Sequence, residues 1–494
     1  MDQNRTPYFD ALLDYVQKGT ISFHCPGHKA GKGMHEKFKK YVGLQGLAFD
    51  LTEVLGLDDL HQPRSVLKEA QELASEAYGA EKTFFLINGS TSGNQAMIFG
   101  ICNPGEEVII PRNAHKSTIS AFIISGAIPV FMEPVYDDFY FIDHNVTLET
   151  VEKALNKYQN AKALLIVSPT YYGSTADLES IISLVHDRGK IALVDEAWGP
   201  HLKFHPELPK TALECGADVV VNSTHKLIGG MSQGAMLHLR GNRVDYSRIA
   251  SAVRFFTSTS PSCLIVASLD VARMQMATEG EKLLSETIHM AEYARERINN
   301  IETLHCFGKE LVGKPGVFGF DPTKLTVDVA DTGYSGYEMN QILRYEYGVQ
   351  IELQQLFHVL ALITIGNTRE DVVKLVDSIE DIVVNRKRIK SPEESLLKMV
   401  EKRLGKEFEM PDWPPRKMSP REAFISDSEM VLTDSSIGRV SSDMITPYPP
   451  GIPAICPGEV ITEQIVDYLR IEDNWGAHIQ GLTDPTLARM RVVK

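Results

Sequence analysis

Six apolar runs of three to five residues alternate with segments of helical period between about residues 80 and 240: 84–87, 107–110, 128–131, 163–167, 191–194 and 219–221. Strands joined through helices run parallel, because a helix returns the chain to the edge it left. The alternation therefore predicts an α/β domain around a mainly parallel sheet. Several runs end in Asn, Ser, Asp or Gly, at the edge where loops of such sheets carry function. The connecting segments, such as 178–186, have helical apolar spacing.

Two of these runs end beside complementary chemistry. Asp195 closes the run 191–194, and Lys226 follows 31 residues later in Ser223-Thr224-His225-Lys226. A lysine to hold an aldehyde as a Schiff base and a carboxylate to keep a pyridine nitrogen protonated are what pyridoxal 5'-phosphate (PLP) requires. After the first run, Ser90-Thr91-Ser92 opens a helix whose free N–H groups and hydroxyls suit a phosphate; the ordinary alternative is an N-cap. His115, just past the second run, could stack on a pyridine ring. Lys116 is a rival for the covalent lysine, without the aspartate-then-lysine order. In Asp195-Glu196-Ala197-Trp198, strand alternation sets small Ala197 on the side of Asp195, beneath a flat ring, while Trp198 could donate its indole N–H to a phenolate oxygen. Asp195, Glu196 and His201 could instead bind a metal, but no dense ligand motif accompanies them. The segment 23–33 resembles a phosphate-binding Walker loop, but its glycine spacing is one residue short and Gly33 replaces the magnesium-binding hydroxyl.

The 494 residues, 43% hydrophobic, suffice for two to four domains. The net charge of -15 argues against nucleic acid and is compatible with cationic small molecules. No segment reaches the roughly 18 apolar residues of a membrane span; the most apolar, 356–365, contains His358. The start lacks the apolar core of a signal peptide, and six scattered cysteines without CxxC spacing read as reduced thiols, so the cytoplasm is the expected location.

Residues 264–300 read as one or two long helices leading into a second domain near Leu311, with strands at 325–329 and 349–353 around a helix at 336–347. A charged stretch and the Pro-rich 410–415 mark a linker. The Pro-rich 447–453 suits a shaped loop. The expected organisation is an N-terminal segment 1–55, a large domain 56–310, a small α/β domain 311–390, a linker 391–415 and a C-terminal domain 416–494.

Taken in order along nearly the whole chain, these motifs resemble the Orn/Lys/Arg decarboxylase family: Pro26-Gly27-His28-Lys29, 57–61, Ser90-Thr91-Ser92, His115-Lys116-Ser117, 195–199, 223–226, 257–262, 267–270, 321–324, 448–451 and Pro457-Gly458-Glu459. The resemblance implies a PLP-dependent fold type I (aspartate aminotransferase-like) large domain, a smaller α/β domain and a C-terminal α+β domain. By the same resemblance, Ser90, Thr91, Ser92, Ser223 and His225 hold the phosphate, His115 stacks on the ring, Asp195 binds the pyridine nitrogen, Ala197 and Trp198 line the ring, and Lys226 is the covalent lysine. Thr259 and Ser260 would reach the cofactor of a neighbouring subunit, implying a homodimer or a dimer of dimers. Trp198 stands where many relatives have His, and Cys263 where an aromatic residue is expected. The early position of the Pro26 motif leaves no room for the wing domain of the large inducible enzymes, so their decamer is not implied.

The resemblance also implies loss of carbon dioxide from a basic amino acid, with arginine, giving agmatine for polyamine biosynthesis, as the preferred substrate and lysine or ornithine as alternatives. The proton returned to Cα could come from Lys226 or His225. Glu459 is the first candidate for the distal cation of the substrate, with His28 as a further substrate contact; Asp58 and Asp59 are weaker, since paired acids there could simply organise a turn. An aminotransferase would need an arginine clamp for a second carboxylate, and a non-catalytic PLP-binding regulator would not need the C-terminal Pro-rich segment.

Overall fold

The apolar runs become strands because their β-branched side chains pack on a pleated surface buried on both faces. The computed structural model of the chain describes residues 1–386, 388, 394–404 and 409–494. It divides into two units, Met1–Ile101 with Ile191–Leu284, and Cys102–Lys190 with Ser285–Lys494. The sequence boundaries at 56 and 310 do not separate these units, because the chain leaves the first after Ile101 and returns at Ile191.

In the first unit four neighbouring strands lie in the order Lys82–Leu86, Ala235–Leu239, Val219–Asn222 and Ile191–Asp195. Ile191–Asp195 and Val219–Asn222 are parallel, whereas Ala235–Leu239 is antiparallel to both of its neighbours. That strand is absent from the sequence reading because Ala-Met-Leu-His-Leu has no β-branched residue to announce it. Its His238 is buried beside the Thr83 hydroxyl at 2.9 Å, and burial lowers the imidazole to about 3, so the ring is neutral.

The helix Gly89–Ile101 lies directly on these strands. A Cβ on Gly93 would come within 2.4 Å of Val221 Cγ2 and 2.9 Å of Leu86 Cδ1, so only glycine allows this approach. The residues read as one or two helices after 264 form one, Cys263–Asn299.

The second unit holds three parallel strands in the order Ala163–Val167, Glu107–Pro111 and Ile128–Met132. Its antiparallel sheet has the order His305–Cys306, Lys324–Asp328, His358–Leu362 and Leu353–Gln354. The expected strand at 349–353 contracts to its last residue and Gln354. Its neighbour is His358–Leu362, whose unbroken apolar run lacks the period of two that marks a half-buried strand. The helices Gly336–Tyr345 and Arg369–Glu380 bury Met339, Leu343, Val372 and Val376 in the core they share with this sheet.

Of the expected linker, 391–393 and 405–408 lie outside the described residues. The intervening Leu396–Leu404 is a helix whose Leu396 and Val400 pack with Tyr337 and Phe357, so this part is an apolar-anchored element. Toward the C-terminus, Ser428–Leu432 pairs antiparallel with Arg489–Val493 over a core containing Ile455, Val466, Leu469 and Val492. Among the described residues no disulfide occurs, no helix is long and apolar enough to cross a membrane and no cluster of metal ligands occurs.

Replacing Gly93 by alanine should lower the urea unfolding midpoint by an amount equivalent to about 1–3 kcal/mol, the usual cost of forcing atoms into a packed core. An unchanged midpoint would mean that the helix can slide off its strands without penalty.

Candidate active site

Asp195 ends its strand with a carboxylate only 3% exposed. Asn94 Nδ2 donates to its Oδ2 at 2.7 Å, and the Ala197 N–H donates to Oδ1 at 3.1 Å. Burial raises the pKa of Asp195, opposed by the Asn94 bond, the charge of Lys226 and the Ala197 N–H. A carboxylate so desolvated gains most from a cationic partner. Asn94 has no role in the sequence reading; its signal was a polar amide in the second turn of the helix Gly89–Ile101, just after Ser90-Thr91-Ser92.

Lys226 lies in the short helix Thr224–Leu227, half-buried, its ammonium 3.7 Å from the ring centre of Trp198. Trp198 thus offers its face to the lysine, a cation–π contact that a histidine would provide less well. Glu196 points into the interior, where it accepts from the Ala212 N–H at 2.7 Å and from Asn222 Nδ2 at 3.0 Å. Burial pushes it up to about 8, and its bonds mark it as a strut for the strand end.

His225 Nδ1 faces the Gly234 carbonyl at 2.9 Å, which fixes the proton on that nitrogen. Burial, and secondarily Lys226, hold its pKa below the usual histidine range. Ser223 donates its hydroxyl to Ser90 Oγ at 2.8 Å, bringing the two turns together at the N-terminus of Gly89–Ile101. Thr91 is exposed there, whereas Ser92 is buried and donates to the Gly89 carbonyl. Ser90, Thr91 and Ser223 therefore form the hydroxyl set nearest the helix N-terminus, and Ser92 caps it from within.

The remaining candidates of this unit lie elsewhere on it. His28 has both ring nitrogens engaged, Nε2 with Asp50 Oδ2 and Nδ1 accepting from the Gly31 N–H, each at 3.0 Å, so it organises the 26–33 loop. Thr259 and Ser260 are exposed. Asp58 collects the N–H groups of Arg64, Ser65 and Leu67, the turn-forming alternative.

In the second unit, His115 caps the helix Lys116–Ser125, with Nδ1 2.7 Å from Ser117 Oγ. The Pro-rich loop passes against it: a Cβ on Gly451 would lie 2.9 Å from the imidazole, and the Lys116 N–H donates to the Gly451 carbonyl at 2.9 Å. The Lys116 ammonium is spent on Gln480 and stands 4.8 Å over the Tyr448 ring.

Glu459 differs from its expected role. It is 1% exposed, and its oxygens receive Arg112 Nε at 3.1 Å and Nη2 at 2.8 Å together with the Cys456 N–H at 2.7 Å. Arg112 also donates to the Pro453 carbonyl at 2.8 Å and lies 4.6 Å over the Trp413 ring. With three donors on it and almost no exposure, this carboxylate is turned to Arg112 and the Cys456 N–H. The two partners lie 347 residues apart, beyond any spacing rule.

The family model described as Orn/Lys/Arg decarboxylase, major domain, matches residues 6–371, and that for the C-terminal domain matches residues 402–486. An arginine decarboxylase of Bacillus anthracis is 41% identical over 494 residues, covering 100% of this chain and 98% of the relative. An arginine decarboxylase of Bacillus subtilis is 38% identical over 496 residues, covering 100% and 99%. Among solved structures, lysine decarboxylase A from Pseudomonas aeruginosa superposes with a TM-score of 0.84 at 23% identity, over 99% of this chain and 80% of that one. That likeness carries the fold, the PLP-dependent type I architecture expected from the sequence.

Truncating Glu459 to alanine should cost about 3–5 kcal/mol of stability in denaturant unfolding, because Arg112 is left buried and unpaired. A variant of undiminished stability with a raised KM would instead return Glu459 to the substrate.

Proposed function

The chain belongs to the Orn/Lys/Arg decarboxylase family, and on that footing we propose that it uses PLP to convert L-arginine to agmatine and carbon dioxide. The observation that carries this reading is full-length identity of about 40% to arginine decarboxylases, joined to a buried Asp195 and a nearby Lys226. The lysine decarboxylase structure, at 23% identity, bears on the fold and leaves the substrate to the closer relatives.

The donor set fits PLP. An amine, a desolvated carboxylate, and the hydroxyls of Ser90, Thr91 and Ser223 at a helix N-terminus match an aldehyde, a pyridine nitrogen and a phosphate. When bound, PLP supplies an electron-accepting ring that stabilises the charge left by departing carbon dioxide. Asp195 holds a proton on the ring nitrogen, and Asn94 with the Ala197 N–H fixes the carboxylate so that no reorganisation is needed during reaction. Lys226 binds the cofactor and then returns a proton to Cα. His225 is the weaker donor, because burial keeps it neutral and its one N–H is committed to Gly234.

We further assign Thr259 and Ser260 to contact with a second copy of the chain, in at least a homodimer. Phe255, 74% exposed four residues before Thr259, and Phe23 and Leu55, 96% and 98% exposed, are apolar surface such an interface would cover. Six cysteines without a disulfide among the described residues suit a reducing compartment, and we place the enzyme in the cytoplasm.

The test is product formation from arginine, lysine and ornithine, each offered separately with PLP. Agmatine with carbon dioxide from arginine is expected; cadaverine or putrescine would move the substrate, and amine transfer without carbon dioxide would replace the reaction. Lys226→Ala should lose roughly a hundred- to ten-thousandfold in kcat, the range for removing a proton-transfer group, together with the cofactor absorbance of the lysine-linked form. Persistence of that absorbance would exclude Lys226 as the covalent lysine.

A further inference from the structure

The second unit encloses a cavity of about 820 Å³ that contains none of the residues assigned to the cofactor. Seven carboxylate side chains line it, among them Asp143, Asp412 and Glu472, along with six aromatic rings that include Tyr136, Tyr172 and Trp413. No lysine, arginine or histidine is among the described residues of its wall. Lys398 pairs with Glu401 of the wall at 2.8 Å, and the buried Arg112 is held by Glu459 and lies 4.6 Å over the Trp413 ring.

Two groups in the wall lack partners. Asp143 makes no hydrogen bond or ion pair among the described residues, although burial pushes its carboxyl up to about 7 against the distant pull of Arg112. The Tyr136 hydroxyl is sealed from solvent and likewise unbonded. Buried polar groups are normally satisfied, and the Asp143 carboxylate, which lines the cavity, points to an absent donor. Glu472 is instead held by Tyr337 and Tyr468, and Glu401 by Lys398, which leaves half-buried Asp143 as the acid best placed to respond to a ligand, with the exposed Asp412 also in the wall.

We propose that this cavity binds a linear aliphatic amine with two or more cationic groups and no carboxylate, a di- or polyamine. Ammonium groups would pair with the acids and lie on the rings, while the methylene stem would rest on the aromatic and proline walls. The volume exceeds what a single metal ion needs, and no cluster of metal ligands is present among the described residues. An amino acid is disfavoured, because its α-carboxylate would meet only like charge and no cation. The ligand class is therefore the decarboxylated kind, distinct from a substrate that still bears its carboxylate.

The experiment is calorimetric titration of the holoenzyme with spermidine at low ionic strength, alongside spermidine inhibition of arginine decarboxylation. One spermidine per chain is expected, with affinity falling at least about tenfold in Asp143→Asn/Asp412→Asn, the order expected for losing charge-assisted bonds. Since loss of binding could reflect misfolding, the exposed rim pair Glu133→Gln/Asp138→Asn provides a second variant, expected to weaken binding by a smaller, salt-sensitive factor. No saturable binding, or binding indifferent to both pairs of substitutions, would overturn the proposal. So would strict competition with arginine that disappears in Asp143→Asn/Asp412→Asn, because the cavity would then be the substrate's own. Calorimetry reads binding whether or not arginine is the substrate, so its failure is distinguishable from failure of the activity reading.

Discussion

A carboxylate withdrawn from water at the end of a strand must be compensated, and the first unit is arranged around that requirement at Asp195. Asn94 reaches it from the second turn of the helix Gly89–Ile101, the Ala197 backbone from the loop after the strand, and Lys226 adds a favourable charge. Each depends on close packing beneath it. The approach of Gly93 to Val221 keeps the helix near enough for Asn94 to bond Asp195, and the same helix start carries Ser90 to Ser223. Burial without full compensation leaves the carboxylate with most to gain from a cationic partner.

The second unit solves a related problem differently. Arg112 and Glu459 are both nearly inaccessible, and they satisfy one another together with the Pro453 carbonyl and the Cys456 N–H. Such a pair adds little stability relative to apolar side chains but strongly disfavours any arrangement that separates its halves. It therefore sets the position of the segment 453–459 against the end of Glu107–Pro111, and with it the preceding Pro-rich loop that rests on His115. That loop and Trp413 form part of the wall of the acidic cavity, so one buried ion pair shapes a cavity lined by seven carboxylates.

Two chemistries of negative charge thus coexist in one chain. Glu459 receives three donors and acts as a strut, Glu196 and Asp195 receive two each, and the Asp143 carboxylate receives none among the described residues. Burial alone does not distinguish these groups. What separates them is the number of donors supplied by the surrounding backbone and side chains.

Local pattern was enough to read five of the parallel strands, the helices between them and the Asp195–Lys226 pair, because strand period, helix period and short motifs are encoded by neighbouring residues. It determined the family and hence the fold. It missed Ala235–Leu239, where β-branched residues are absent, and His358–Leu362, where burial on both faces erases the alternation. Tertiary structure alone decided that Asn94 holds Asp195, that Ser92 turns inward, that His28 serves its own loop and that Glu459 belongs to Arg112. These assignments depend on which donors meet across tens to hundreds of residues, and hydrogen-bond saturation is a property of three-dimensional neighbours that no linear spacing records.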